Sequence, residues 1–194
     1  MTNLLKLCFF GSALALAGCT SAPPQPTEAT QSTAIEPEVA EVMPDYASMR
    51  VTVAGAGDIM LGTDFPKNHL PDDDGSGFLS AVTPALSGAD IAFGNLEGVL
   101  MNGGEPAKQC NDPQACYMFR SPTRYAELLR SAGFDVMSLA NNHARDFGEA
   151  GRESSMAALD AVGIQHSGRE GEIASWQQNG LRFAMIAFSP TVGS

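Results

Sequence analysis

The sequence predicts an α/β domain with a buried, largely parallel sheet. Short apolar or β-branched runs recur at 51–54, 91–93, 136–140 and 181–188, with segments of helical apolar spacing between them. Glycines stand where those segments should stop, at Gly88, Gly133 and Gly163. Polar side chains of ligand type appear only where the strands finish. Strands alternating with helices imply right-handed βαβ crossovers and a covered sheet. In such sheets ligands bind in the crevice beyond the carboxyl ends of the strands.

The chain opens with a leader rather than with the domain. One basic residue, Lys6, precedes an apolar run from Leu7 to Ala17 that is too short for a stable membrane span, and Leu16-Ala17-Gly18-Cys19 follows. This resembles a bacterial lipobox. It implies a signal peptide over 1–18, lipidation of Cys19 and a place in the cell envelope. Thr20, rather than Asp, beside the cysteine favours the outer membrane. Residues 19–46 are rich in Pro, Thr, Ser and Glu with almost no large apolar side chain, and predict a disordered tether. The folded domain is expected over 47–194.

Charge and cysteine usage narrow the function classes. The 194 residues carry a net charge of −11, and loss of Lys6 with the leader takes it to −12. That excess argues against nucleic acid or an anionic lipid surface as the main partner. An anionic substrate stays compatible, because a bound divalent metal inverts the local field. Cys110 and Cys116 remain after Cys8 leaves with the leader and Cys19 takes lipid. In an exported chain they predict a disulfide closing a small loop, worth about 2 kcal/mol for so short a closure.

The elements follow in order. Arg50 to Gly62 opens as a β-branched strand broken by glycines at its carboxyl end, where Asp58 stands. The Asp72-Asp73-Asp74 run lacks the alternating ligands of a calcium loop and is expected to be a solvated loop. A helix is expected from Phe78 to Leu86. Ile91-Ala92-Phe93 is the second strand, followed by Asn95 and Glu97. Ser121-Pro122 predicts a helix start with Ser as the cap, and Tyr125, Leu128, Leu129 and Ala132 recur at core spacing behind it. Asp135 to Ala140 is a strand, Glu149 to Val162 a covering helix, Ile164 the start of a short strand and Leu181 to Phe188 another. His69 is expected on the surface and His166 in a structural role.

Three strand ends therefore carry Asp58, then Asn95 and Glu97, then Asn141, Asn142, His143 and Asp146. Two carboxylates, an amide oxygen and an imidazole make a mixed oxygen and nitrogen set suited to Mn, Mg, Zn or Fe. A metal there lowers the pKa of bound water far below that of bulk water, toward about 7 to 9. His143 is then the candidate to protonate a leaving group or stabilise an oxyanion.

At Gly57-Asp58-Ile59-Met60-Leu61-Gly62, Asn95-Leu96-Glu97-Gly98, Phe119-Arg120-Ser121-Pro122 and Leu139-Ala140-Asn141-Asn142-His143 with Asp146 and Gly148, the chain resembles the CapA family. That family is named for capsule synthesis and poly-γ-glutamate production, and sits in the calcineurin-like metallophosphatase superfamily. The resemblance runs from about Val51 to the C-terminus. It implies a metallophosphatase-like, layered α/β/β/α fold of which the N-terminal half is present. It also implies Asp58, Glu97 and Asn142 as ligands of a divalent metal, His143 as the catalytic histidine, and Asn95, Asn141 and Asp146 as supporting groups. Met60 replaces the superfamily's histidine two residues after Asp58, and Asn95 stands where phosphatases carry Asp.

Two functions follow as expectations. One is metal-dependent hydrolase or transferase chemistry in the synthesis, transfer or anchoring of an anionic extracellular polymer or its precursor, beside membrane-embedded synthesis partners. The other is a non-catalytic scaffold that binds polymer or partner.

Overall fold

The computed structural model describes residues 49–190 apart from 111. The leader, Cys19 and the tether lie outside the described residues. The described part is a mixed α/β domain. Its elements are β1 (Val53–Ile59), α1 (Thr83–Ser87), β2 (Ile91–Leu96), β3 (Val99–Leu100), β4 (Arg120–Ser121), α2 (Ala126–Ala132), β5 (Val136–Ser138), α3 (Gly148–Ala161), β6 (Gln165–Ser167), β7 (Ala174–Gln178) and β8 (Leu181–Met185). β1, β2, β5 and β6 form the expected parallel sheet in that spatial order. β3 and β4 pair in a short parallel ribbon, and β7 with β8 in an antiparallel hairpin.

Period-two alternation along the strands gives the sheet two different faces. Ala92, Leu96 and Met137 join Leu86 of α1, Leu129 and Ala132 of α2 and Leu159 of α3 in the main core. Their neighbours Ile91 and Val136 turn the other way, onto Ala174, Trp176, Phe183 and Met185 of the hairpin. Fully buried side chains such as Leu129, Met137 and Leu159 each contribute roughly 1.5–3 kcal/mol. All three helices thus serve one face, and the hairpin covers part of the other.

Local chemistry moves three elements from their expected places. α1 begins at Thr83, not near Phe78, because Pro84 has no N–H and is tolerated only in a first turn. Upstream, the chain takes successive turns held by Phe78 N to Gly75 O and Val82 N to Leu79 O. The Asp73 carboxylate organises them by accepting from the Gly75 and Gly77 amides. Ser121 lies in β4, where its hydroxyl donates to Gly62 O at 2.7 Å instead of capping a helix. Pro122 follows in extended conformation, so a 3-10 turn over Thr123–Tyr125 intervenes before α2. The expected strand from Leu181 to Phe188 is the second arm of the hairpin and stops at Met185. Its reversal at Asn179-Gly180 uses positive φ at both residues, 51° and 77°, as a two-residue hairpin turn requires.

Gly133 ends α2 in the left-handed region, as expected from its place in the sequence. A Cβ there would lie 2.8 Å from Ser87 Cα, so α1 and α2 also meet at this glycine. Among the described residues no helix is long and apolar enough to cross a membrane.

Candidate functional site

The strand ends converge as the alternation of elements predicts. Asp58 in β1 stands opposite Asn95 in β2, and Asn95 opposite Ser138 in β5, so the three form a row across the sheet. A register irregularity between Gly55 and Asp58 brings the carboxylate into that row; such bulges re-aim a side chain. Asp58 and Asn95 each lie within their strands, one residue before the strand finishes.

From this row a chain of hydrogen bonds runs inward. The Asn95 amide donates to Asp58 Oδ1 at 2.8 Å. Asn141 Nδ2 donates to Asn95 Oδ1 at 3.1 Å and to Leu96 O at 2.9 Å. Asn141 Oδ1 accepts from the His143 backbone N–H at 2.9 Å. His143 Nδ1 then meets Asp146 Oδ2 at 2.8 Å. Exposure falls along the path: Asp58 is exposed, Asn95 half-buried, Asn141 and His143 buried, and Asp146 fully buried. Burying a carboxylate without compensation is costly, so Asp146 must be paired where it stands.

The pairing comes from a residue that the sequence pattern does not single out. Lys108 Nζ lies 3.0 Å from Asp146 Oδ1. It also donates to Tyr117 O and Asn142 O, both at 3.2 Å. The ammonium also lies 3.2 Å from His143 Nδ1, while Asp146 Oδ1 faces it as an ion-pair partner without a directed hydrogen bond. An ionised Asp146 has no proton to give, so the 2.8 Å contact assigns the imidazole proton on Nδ1 to Asp146 Oδ2. That leaves Nε2 facing Glu97, whose Oε1 is 3.6 Å distant. Asp146 Oδ2 accepts a second bond, from Phe119 N at 2.7 Å, and the Phe119 ring lies against the imidazole with centroids 4.4 Å apart. Gly98 permits this cover: its φ is 97°, and a Cβ there would sit 2.7 Å from Phe119 Cβ.

The structure thus joins Asp58, Asn95, Asn141, His143 and Asp146 directly, with Glu97 beside the imidazole. Asn142 sits on the same turn, exposed, with its carbonyl held by Lys108. Among the described residues no group of three or more His, Cys, Asp or Glu side chains is arranged to hold a metal ion. The Cys110–Cys116 disulfide is formed, with Cα atoms 5.6 Å apart. His69 is exposed. His166 is bracketed by Asp160 at 3.2 Å and Glu172 at 3.4 Å.

At the N-terminal end of α3, Glu149 gathers Arg145, Arg152 and Arg169. The Arg152 hydrogen bond, then that of Arg169, holds its carboxyl below the usual carboxylate range. This network fixes the helix that follows the Asn141 to Asp146 turn.

A parallel sheet carrying a buried imidazole–carboxylate pair beyond its strand ends defines an α/β domain built around a polar centre. The family model for the bacterial capsule synthesis protein PGA_cap matches residues 52–193, and the chain belongs to that family. The matched span contains the whole constellation. Two relatives, the uncharacterized proteins y4sH and y4uA of Sinorhizobium fredii (strain NBRC 101917 / NGR234), are each 31% identical over 121 residues, 60% of this chain and 24% of theirs. The capsule biosynthesis protein CapA of Bacillus anthracis is 27% identical over 147 residues, 72% of this chain and 35% of that protein. The chain therefore spans about a quarter to a third of the length of these relatives.

Proposed function

We propose that this chain acts in the synthesis, transfer or anchoring of an anionic capsular polymer, of which poly-γ-glutamate is the type, through acid–base chemistry at His143. The observation that carries this reading is the continuous hydrogen-bond chain from exposed Asp58 to buried Asp146. It orders Nδ1 of His143 and leaves Nε2 as the atom that can give or take a proton. Asp146 fixes the ring, and half-buried Glu97 lies 3.6 Å from Nε2.

The proposal includes a cell-envelope location, with the domain tethered by residues 19–46 to a lipid on Cys19 in the outer membrane, within reach of membrane-embedded synthesis partners. It also includes a metallophosphatase-like layered fold. Helices on one sheet face and a hairpin on the other support that fold as its beginning. Asp58, Glu97 and Asn142 offer the hard oxygen donors that Mn, Mg, Zn or Fe accept. A bound metal would supply a more acidic water. The described acidic and imidazole groups do not by themselves complete such a site, so no step is drawn through a metal.

The test is polymer output in cells that depend on this gene, complemented with the full chain or with His143→Asn. Loss of polymer at an unchanged level of folded protein is expected for the variant. Wild-type output from it would refute the acid–base role.

A second reading, polymer binding without catalysis, is favoured by the Asp58, Asn95 and Asn141 side chains satisfying one another. Under it, His143→Asn leaves polymer output intact.

A further inference from the structure

The loop closed by the disulfide is not remote from the polar centre, because both of its stems end on Asp146. On the incoming stem, the Ala107 and Lys108 backbone N–H groups both donate to Asp146 O, at 2.9 and 3.0 Å. The Lys108 ammonium lies 3.0 Å from Asp146 Oδ1. On the outgoing stem, Phe119 N donates to Asp146 Oδ2 at 2.7 Å, and the Phe119 ring covers the imidazole. The stems are also tied to each other, since Lys108 Nζ donates to Tyr117 O at 3.2 Å. Cys110 and Cys116 are bonded just beyond these contacts, two residues after Lys108 and one before Tyr117.

We propose that the Cys110–Cys116 loop is a clamp that positions the His143–Asp146 pair, with Lys108 as its contact group. The reasoning rests on the acid–base reading of the site given above. Lys108 touches no strand-end polar group directly except through the Asn141 to Asp146 turn, so it is a positioning residue.

Its physical role follows from competition at Nδ1. Asp146 Oδ1 is fully buried, and Lys108 is the cation beside it. Held there by the crosslinked stems, the ammonium donates to Tyr117 O and Asn142 O and faces Asp146 Oδ1 as its counter-ion, so that Nδ1, although 3.2 Å from Nζ, keeps its proton for Asp146 Oδ2. If the stems part, the ammonium is no longer confined, and the ring can rotate or exchange tautomer. The crosslink acts by limiting the separation of the two stems, an effect on local geometry beyond its small effect on global stability.

The experiment is nitrogen-15 and proton NMR of the full chain labelled at histidine, at one fixed pH, with the His143 signals assigned by His143→Gln. Three samples are compared: the oxidised protein, the protein after a water-soluble phosphine has converted the disulfide to two thiols, and the Cys110→Ser/Cys116→Ser variant. The oxidised protein is expected to show His143 as a single species with a slowly exchanging, downfield Nδ1 proton. Reduction and the double variant should both lose that proton signal while the far-UV circular dichroism is kept. Lys108→Met should lose it in the oxidised protein, and Lys108→Arg should restore it.

An Nδ1 signal unchanged by reduction would overturn the clamp. So would loss of the far-UV spectrum on reduction, since the crosslink would then hold the fold rather than the pair. Because the readout is the ring's own proton, it stands apart from polymer output. A clamp seen by NMR with full output from His143→Asn would sink the acid–base reading alone.

Discussion

Asp146→Asn changes one atom and leaves the side chain's shape intact, so it isolates what the buried charge does. Oδ2 accepts from Phe119 N at 2.7 Å and from His143 Nδ1 at 2.8 Å, while Oδ1 faces Lys108 Nζ at 3.0 Å. An amide has one oxygen and one NH₂. If its oxygen stays on Phe119 and His143, its NH₂ points at the ammonium. If it flips, the NH₂ points at two donors. Either way a buried donor meets a donor, and Lys108 loses its counter-charge. Hydrogen bonds to charged groups contribute about 1.5–3 kcal/mol each, and removing one partner of a buried ion pair costs about 3–5 kcal/mol. These describe the same contacts and are not added. The expected loss is about 4 kcal/mol, which at a slope near 2 kcal/mol per M urea lowers the unfolding midpoint by about 2 M. The assay is urea unfolding of the full chain followed by circular dichroism. Asp160→Asn serves as control: Asp160 also faces a histidine, at 3.2 Å, but is 69% exposed, and its midpoint should move by less than about 0.5 M. An Asp146→Asn midpoint within about 0.5 M of wild type, with unchanged slope, would refute the buried-charge argument.

Two further outcomes follow. Asn95→Asp sets a second carboxylate against Asp58, whose Oδ1 is now 2.8 Å from the amide nitrogen; repulsion should lower the melting temperature in chelator, and Mn²⁺ or Zn²⁺ should restore it more than it raises wild type. Equal metal responses would count against that site. Acid should weaken the fold. The Gly77 backbone N–H holds the Asp73 carboxyl below its ordinary range, as the Arg124 hydrogen bond does for Asp74, the Thr52 backbone for Asp90 and Arg152 for Glu149. Since the unfolded chain binds protons first, this stabilisation is complete above the usual carboxylate pKa of about 4 and is lost as pH falls through the lower folded values. A urea midpoint that stays flat or rises from pH 5 to 3 would contradict it.

What was legible in the sequence is what local pattern dictates. Val136 to Ala140 and Ile91 to Phe93 announced buried strands because apolar runs of that length have few other uses. Asp58, Asn95 and His143 could be assigned to one place because parallel strands share their carboxyl end. Lys108 was not legible, since a lone lysine in a polar loop carries no periodicity, and its partner Asp146 reveals its need for a cation only once it is buried. The hairpin was missed for another reason. Asn179-Gly180 is a strong turn signal, but Ala174–Gln178 carries Trp176 as its one large apolar side chain, so the β7 arm did not stand out. Ser121 failed as a cap because a tertiary acceptor, Gly62 O, competes for its hydroxyl.

That residue 95 is an amide rather than a carboxylate links fold to chemistry. A carboxylate there would leave Asp58 facing a like charge, and the pair would need a cation to coexist. The amide removes that need: it donates to Asp58 and accepts from Asn141 with the same side chain. Asn141 in turn spends its own oxygen on the His143 backbone. The turn bearing the imidazole is therefore positioned from the sheet side by two amides and from the loop side by Lys108 and Phe119. Because these two supports share no atom, loosening one leaves the other in place. His143→Asn should consequently disturb chemistry more than fold, whereas Asp146, on which the loop-side support and the imidazole both bear, carries both.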